Sequence, residues 1–146
     1  MSMSYTSSKR MLLICSATIV LADVLLAFFV IPAVKTDSYP GAKPEVAVPA
    51  FWVNAGFSFL LSVVCLTIAL FSKGRSQATT TILVICGVVI LLLGLLLIDA
   101  GSAFQSHGST MEGASMIIYV CAALLCLSGL LVGMTAFLRP RRGEQA

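Results

Sequence analysis

Positions 76–98 read SQATTTILVICGVVILLLGLLLI, and the first charge after them is Asp99. Twenty-three residues pass without a charge, and from Ile82 to Ile98 every residue is apolar or glycine. At 1.5 Å per residue this stretch makes a helix of roughly 30 Å, the thickness of a bilayer's hydrocarbon core. It lacks the period-two alternation of a membrane β-strand. Lipid offers no hydrogen-bond partner to an open backbone, so only helices and closed barrels span it, and here the helix remains.

Three further stretches repeat the pattern. Between Arg10 and Lys35 lie 24 residues with one charge, Asp23; between Glu45 and Lys73 lie 27 with none; between Glu112 and Arg139 lie 26 with none. The expected spans are near 11–34, 49–72, 78–100 and 114–138, within one domain covering residues 1–146. Short tails remain at 1–10 and 139–146. Composition agrees: of 146 residues 59% are hydrophobic and 10% charged, with a mean hydropathy of +1.04. A soluble domain carries about 25% charged residues, so a soluble globular fold is excluded. Disorder is excluded too, because it needs low hydrophobicity and high charge. The first span follows Lys9 and Arg10 as a signal peptide would, but it is too long for an h-region and contains Asp23, so it is expected to be retained.

Lysine and arginine counts in short loops set orientation. The N-terminal tail, the second loop and the C-terminal tail carry Lys9, Arg10, Lys73, Arg75, Arg139, Arg141 and Arg142, seven in all; the opposite side carries Lys35 and Lys43. Both termini are therefore expected in the cytoplasm, in an unspecified membrane. The net charge of +3 belongs to helix ends and forms no nucleic-acid patch. Pro40, Gly41 and Pro44 predict a turn-like, extended first outer loop from Lys35 to Val48. The link from Lys73 to Gln77 predicts a tight hairpin of the second and third helices. The second outer loop, Gly101 to Gly113, holds the one histidine, His107.

Small residues recur at helical spacing. In the second span Ala55, Ser62 and Ala69 are seven apart, as are Ser58, Cys65 and Ser72. In the third, Gly87, Gly94 and Gly101 are seven apart; in the fourth, Ser115, Ala122, Gly129 and Ala136 repeat at seven beside Cys126 and Gly133. Lipid is as apolar as leucine, so helices associate there by close approach, dispersion and hydrogen bonds, all of which small residues permit. A 3.5-residue period keeps such seams facing a partner in a left-handed supercoil. The expected fold is thus an all-α integral membrane protein, a left-handed antiparallel bundle of four transmembrane helices. Gly129 to Gly133 also forms a Gly-x-x-x-Gly, and the surplus of seams leaves room for a homo-oligomer.

The five cysteines, Cys15, Cys65, Cys86, Cys121 and Cys126, all fall in spans and read as small packing residues. Palmitoylation is chemically open at Cys15 and Cys65, which approach the cytoplasmic side. The outer loops hold no cysteine, unlike those of claudins, connexins and classical tetraspanins. With one histidine and scattered thiols, no metal site is expected, and no catalytic or cofactor-binding motif is present.

Polar residues inside spans carry most of the functional information. Asp23 sits near the middle of the first helix, where a carboxylate costs roughly 2.5–3.5 kcal/mol on insertion scales. No Lys, Arg or His lies within another span. Three roles are open: a neutral acid hydrogen-bonded to Ser58 or Ser62, a charge paired with a basic residue on another membrane protein, or a proton or cation relay. A second polar group, Asn54, Asp99 and Tyr119 with Trp52 close by, is expected at a similar depth near the outer surface; Trp and Tyr there also serve as ordinary interfacial anchors.

The topology is similar to that of several four-span groups, MARVEL-type proteins among them. That similarity is architectural and carries no residue roles. Besides the bilayer itself, the expected role is a non-enzymatic scaffold, trafficking factor or accessory subunit. The alternative is a small transporter or ion-coupled channel subunit using Asp23.

Overall fold

The computed structural model describes residues 5–32, 44–71, 76–105 and 112–138. Four helices are long and apolar enough to cross a membrane. They are α1 (Tyr5–Leu25), α2 (Pro44–Phe71), α3 (Gln77–Gln105) and α4 (Glu112–Leu138). A π-helical turn, Leu26–Val30, prolongs α1. The stretches meeting the length and composition of a span are Thr6–Val30, Val48–Phe71, Gln77–Ser102 and Met116–Leu138.

Helices outrun the expected spans because backbone pairing does not stop where side chains turn polar. Residues 44–48, expected in an extended loop, form the first turns of α2. Pro44 stands at the helix's first position, where its missing N–H has no intrahelical partner to lose. Pro49 lies inside the helix and near its start, so it removes a single bond, to the Glu45 carbonyl. Likewise α3 continues through Gln105, so Gly101 is helical and helix extends into the stretch 101–113 expected as loop. His107, Ser72 and the basic residues Lys35, Lys43, Lys73, Arg75, Arg139, Arg141 and Arg142 lie outside the described residues.

Ser76 starts α3. Its hydroxyl oxygen accepts the Thr79 N–H at 3.1 Å and its carbonyl accepts the Thr80 N–H at 3.0 Å, capping donors that the helix leaves free. The π turn has a local cause in Pro32, which lacks an N–H and whose ring would crowd the Phe28 carbonyl in a regular α-helix. The chain widens instead, and the Ile31 N–H reaches the Leu26 carbonyl.

The most extensive interface joins α3 to α4, and α1 packs about equally on α2 and α4. The helices α2 and α3 meet only along a thin seam. The short connection between them therefore does not make a tightly packed hairpin; each finds its main partner elsewhere. The core follows heptad lines: Leu12, Ile19 and Leu26 on α1, Leu83, Ile90 and Leu97 on α3, and Ile118, Leu125 and Val132 on α4 are all buried. The outward faces are apolar and aromatic, with Phe28, Trp52, Phe57, Phe59, Phe71 and Phe137 exposed. Those faces suit lipid, in which leucine and phenylalanine cost nothing to expose.

Candidate functional site

The polar groups collect on the line between α1 and α2. Ser16, Asp23 and Val30 fall seven apart on α1, so they share one side of the helix, and all three are buried. On α2 the buried positions Phe51, Ala55, Ser58, Ser62, Cys65 and Ala69 alternate by four and three, and Asn54 is buried beside Ala55. Every described member of the small-residue stripe expected on α2 is therefore inside the protein.

Two contacts cross this line. The Ser58 hydroxyl hydrogen-bonds Asp23 Oδ1. The Ser16 hydroxyl donates to the Ser62 backbone carbonyl at 3.2 Å. Of the two hydroxyls expected near Asp23, Ser58 takes the contact, while Ser62 turns back to the Phe59 carbonyl at 2.7 Å. Ser58 Oγ also lies 3.0 Å from the Asn54 carbonyl and 3.1 Å from that of Ala55. Beside Asp23, the Cys121 thiol on α4 donates to the Ala22 carbonyl at 3.4 Å.

Asn54 stands one turn from Ser58. Its Nδ2 donates to the Leu93 carbonyl of α3 at 3.3 Å, bridging the thin α2–α3 seam. The amide is thus bound to backbone at Leu93, six residues (roughly 9 Å of helix) before Asp99. Asp99 itself is exposed. Tyr119 is half-buried, with its ring against Gly101, where an added Cβ would lie 3.2 Å from Tyr119 Cε1. The group expected from Asn54, Asp99 and Tyr119 is divided accordingly: Asn54 joins the Asp23 cluster, Tyr119 packs on α3, and Asp99 faces outward.

The seam between α3 and α4 is a backbone contact. A Cβ on Gly87 would lie 2.8 Å from the Gly129 carbonyl oxygen and 2.9 Å from the Gly133 nitrogen. One on Gly94 would meet Cys126 Sγ at 2.6 Å and the Ala122 carbonyl at 3.1 Å. One on Gly129 would meet the Leu91 nitrogen at 2.8 Å. Gly133 differs, since a Cβ there has nothing within 4 Å. The two ends of the Gly-x-x-x-Gly are therefore unequal: Gly129 needs its hydrogen atom, and Gly133 contributes only its backbone.

All five cysteines are free. Cys15 is 1% exposed and Cys65 fully buried, so neither presents a thiol for acylation. Among the described residues, no group of three His, Cys, Asp or Glu side chains is placed to hold a metal ion. Sequence reasoning missed Ser16 and Cys121. Ser16 carries a sequence signal, being one heptad before Asp23; the Cys121 contact has none, because a thiol in a span reads as packing. No protein-family model, curated protein or solved structure matches the chain.

Proposed function

We propose that the chain is a non-enzymatic scaffold, trafficking factor or accessory subunit of a membrane complex. In this proposal its four spans form a left-handed antiparallel bundle with both termini in the cytoplasm. The antiparallel arrangement is supported by opposite registers: as α3 runs from Gly87 to Gly94 to Gly101, its neighbours on α4 run from Gly129 to Cys126 to Ile118. Orientation is supported by the seven basic residues set against two.

The observation that carries the scaffold reading is where the intramembrane polar groups are spent. Asp23, Ser16, Asn54, Cys121 and Cys126 each bond an adjacent helix of the same chain. Asp23 thus has a partner within its own chain, which favours a structural role over pairing with a basic residue of another protein. What remains for another protein is the apolar outward surface, including α2 around Trp52, Phe57 and Leu60.

Purification in mild detergent, with measurement of mass and identification of retained proteins, tests this reading. A retained partner at fixed stoichiometry, released by polar substitutions at Trp52 and Leu60, supports it. A lone chain that conducts or exchanges ions in proteoliposomes overturns it in favour of a transporter or channel subunit. The second reading has its own motive, because Asp23 Oδ2 and Asn54 Oδ1 are buried without a hydrogen-bond partner.

A further inference from the structure

Asp23 and Asn54 are each 8% exposed, and each holds one oxygen that no donor reaches, Asp23 Oδ2 and Asn54 Oδ1. Asn54 sits one turn before Ser58 on the same buried face of α2, and Ser58 Oγ touches both Asp23 Oδ1 and the Asn54 backbone carbonyl. A serine hydroxyl has one proton, so it serves one of its three neighbouring acceptors at a time. The one amide donor in the cluster, Asn54 Nδ2, is committed to Leu93. The cluster is therefore rich in acceptor oxygens and short of hydrogen. Buried polar atoms are nearly always satisfied, and an orphaned acceptor on each of these two neighbouring residues leaves room for an occupant that brings a proton or a positive charge.

We propose that Asp23, Ser58 and Asn54 form a binding site for a small monovalent cation, Na+ or Li+, which competes there with a proton. The charge follows from the setting. One carboxylate and one monovalent ion sum to zero, whereas a divalent ion would leave an uncompensated charge in a low-dielectric interior. The ion class follows from the donors, since carboxylate, amide and hydroxyl oxygens suit hard cations. The site adjoins the π turn Leu26–Val30, a kind of helix irregularity that often accompanies functional sites.

Among the described residues, few other ionisable groups bear on Asp23. On α4 the nearest is Cys121, held to the Ala22 carbonyl. On α2, Cys65 lies two turns beyond Ser58, and on α3, Asp99 is exposed. Lys9 and Arg10 stand at the other end of α1, about 20 Å along the helix. Among the described residues no basic side chain stands beside Asp23, which leaves a proton or a bound cation to neutralise it within this chain.

The test uses the purified full chain in mild detergent at pH 8, in NaCl, LiCl, KCl or choline chloride at equal ionic strength. NaCl or LiCl should raise Tm saturably, and choline chloride should not. A hydrophobic carbodiimide, which attacks protonated buried carboxyls, should label Asp23, and NaCl should slow that labelling about tenfold or more. Asp23→Asn should abolish both responses, Asn54→Leu should weaken the NaCl effect while labelling persists, and Asp99→Asn should change neither. Equal Tm and equal labelling rate of the wild type in NaCl, LiCl and choline chloride would overturn the site, as would a response to KCl as large as that to NaCl. Neither readout requires ion flux or a protein partner, so the result is independent of the scaffold reading.

Discussion

Gly87 and Gly129 oppose each other reciprocally: a Cβ on either would stand 2.8 Å from the other's carbonyl oxygen. Neither helix can relieve that contact by turning a side chain, because the obstructing atoms are backbone. Gly87→Ala and Gly129→Ala should each destabilise the protein by about 1–3 kcal/mol, the usual cost of overpacking. Thermal unfolding in detergent would register this as a fall in Tm, and an unchanged Tm for both variants would contradict the contact.

At Gly133 the outcome should differ. Open space surrounds its Cβ direction, so Gly133→Ala should be near neutral and should slightly favour the helix by restricting the unfolded chain. The measurement is the same melt, run beside Gly129→Ala. Equal losses at the two glycines would mean that the seam is symmetric.

Much of the bundle was legible because its periodicities are long and uninterrupted. The stripe Ala55, Ser58, Ser62, Cys65 and Ala69 is buried throughout, as the heptad spacing predicts. The glycines Gly87, Gly94 and Gly101 are buried for the same reason. Which helix each stripe faces was not legible. A seam of small residues specifies close approach but not its partner, and a short connection suggested α2 against α3 where the packing joins α3 to α4. Helix ends were missed at Pro44 and Gln105 because charge marks the membrane boundary, while the backbone ladder continues past it. At the site, depth along the helices brings Asp23 level with Ser58 and Ser62 and groups Asn54 with Asp99 and Tyr119, but depth alone does not tell which hydroxyl makes the contact or which way an amide turns.

Ser16 and Ser58 bond the same two helices but should not be equivalent. Ser16→Ala removes one hydroxyl whose acceptor, the Ser62 carbonyl, belongs to a helical backbone. Its cost should be near 0.6 kcal/mol, the average for such bonds in membranes. Ser58→Ala strips Asp23 Oδ1 of its hydrogen-bonding partner beside an Oδ2 that already lacks one. An unsatisfied buried acceptor raises the cost to about 1–3 kcal/mol. Chemical or thermal unfolding of the two variants should therefore rank Ser58→Ala well below Ser16→Ala, and a reversed order would remove Ser58 from the cluster.

The orientation makes a prediction about single sites in a cysteine-free background. In the proposed orientation, which rests on seven basic residues against two, Ser2 and Gln145 are expected in the cytoplasm and Ser38 outside. An impermeant thiol reagent added to intact cells should label a cysteine at position 38 and spare those at 2 and 145 until the membrane is opened. Labelling of position 2 or 145 from outside would reverse the topology.

Asp23 separates the structural role from the others by substitution. An asparagine at 23 can donate to Ser58 Oγ while Ser58 donates to the Asn54 carbonyl 3.0 Å away, so the α1–α2 contact survives without a charge. Asp23→Asn should then fold and localise normally. Asp23→Leu offers no hydrogen bond and adds bulk at a position 8% exposed, so it should lose about 1–3 kcal/mol through overpacking. Ser58 softens that loss, because its hydroxyl keeps the helix carbonyls of Asn54 and Ala55 as acceptors. The readouts are the yield of folded protein, Tm and localisation of both variants. If Asp23→Asn instead falls as far as Asp23→Leu, the charge itself is required for folding, and the α1–α2 interface depends on an ion pair or bound cation rather than on a hydrogen bond. Normal folding of Asp23→Asn with loss of a stoichiometric partner would place that partner's basic residue against Asp23.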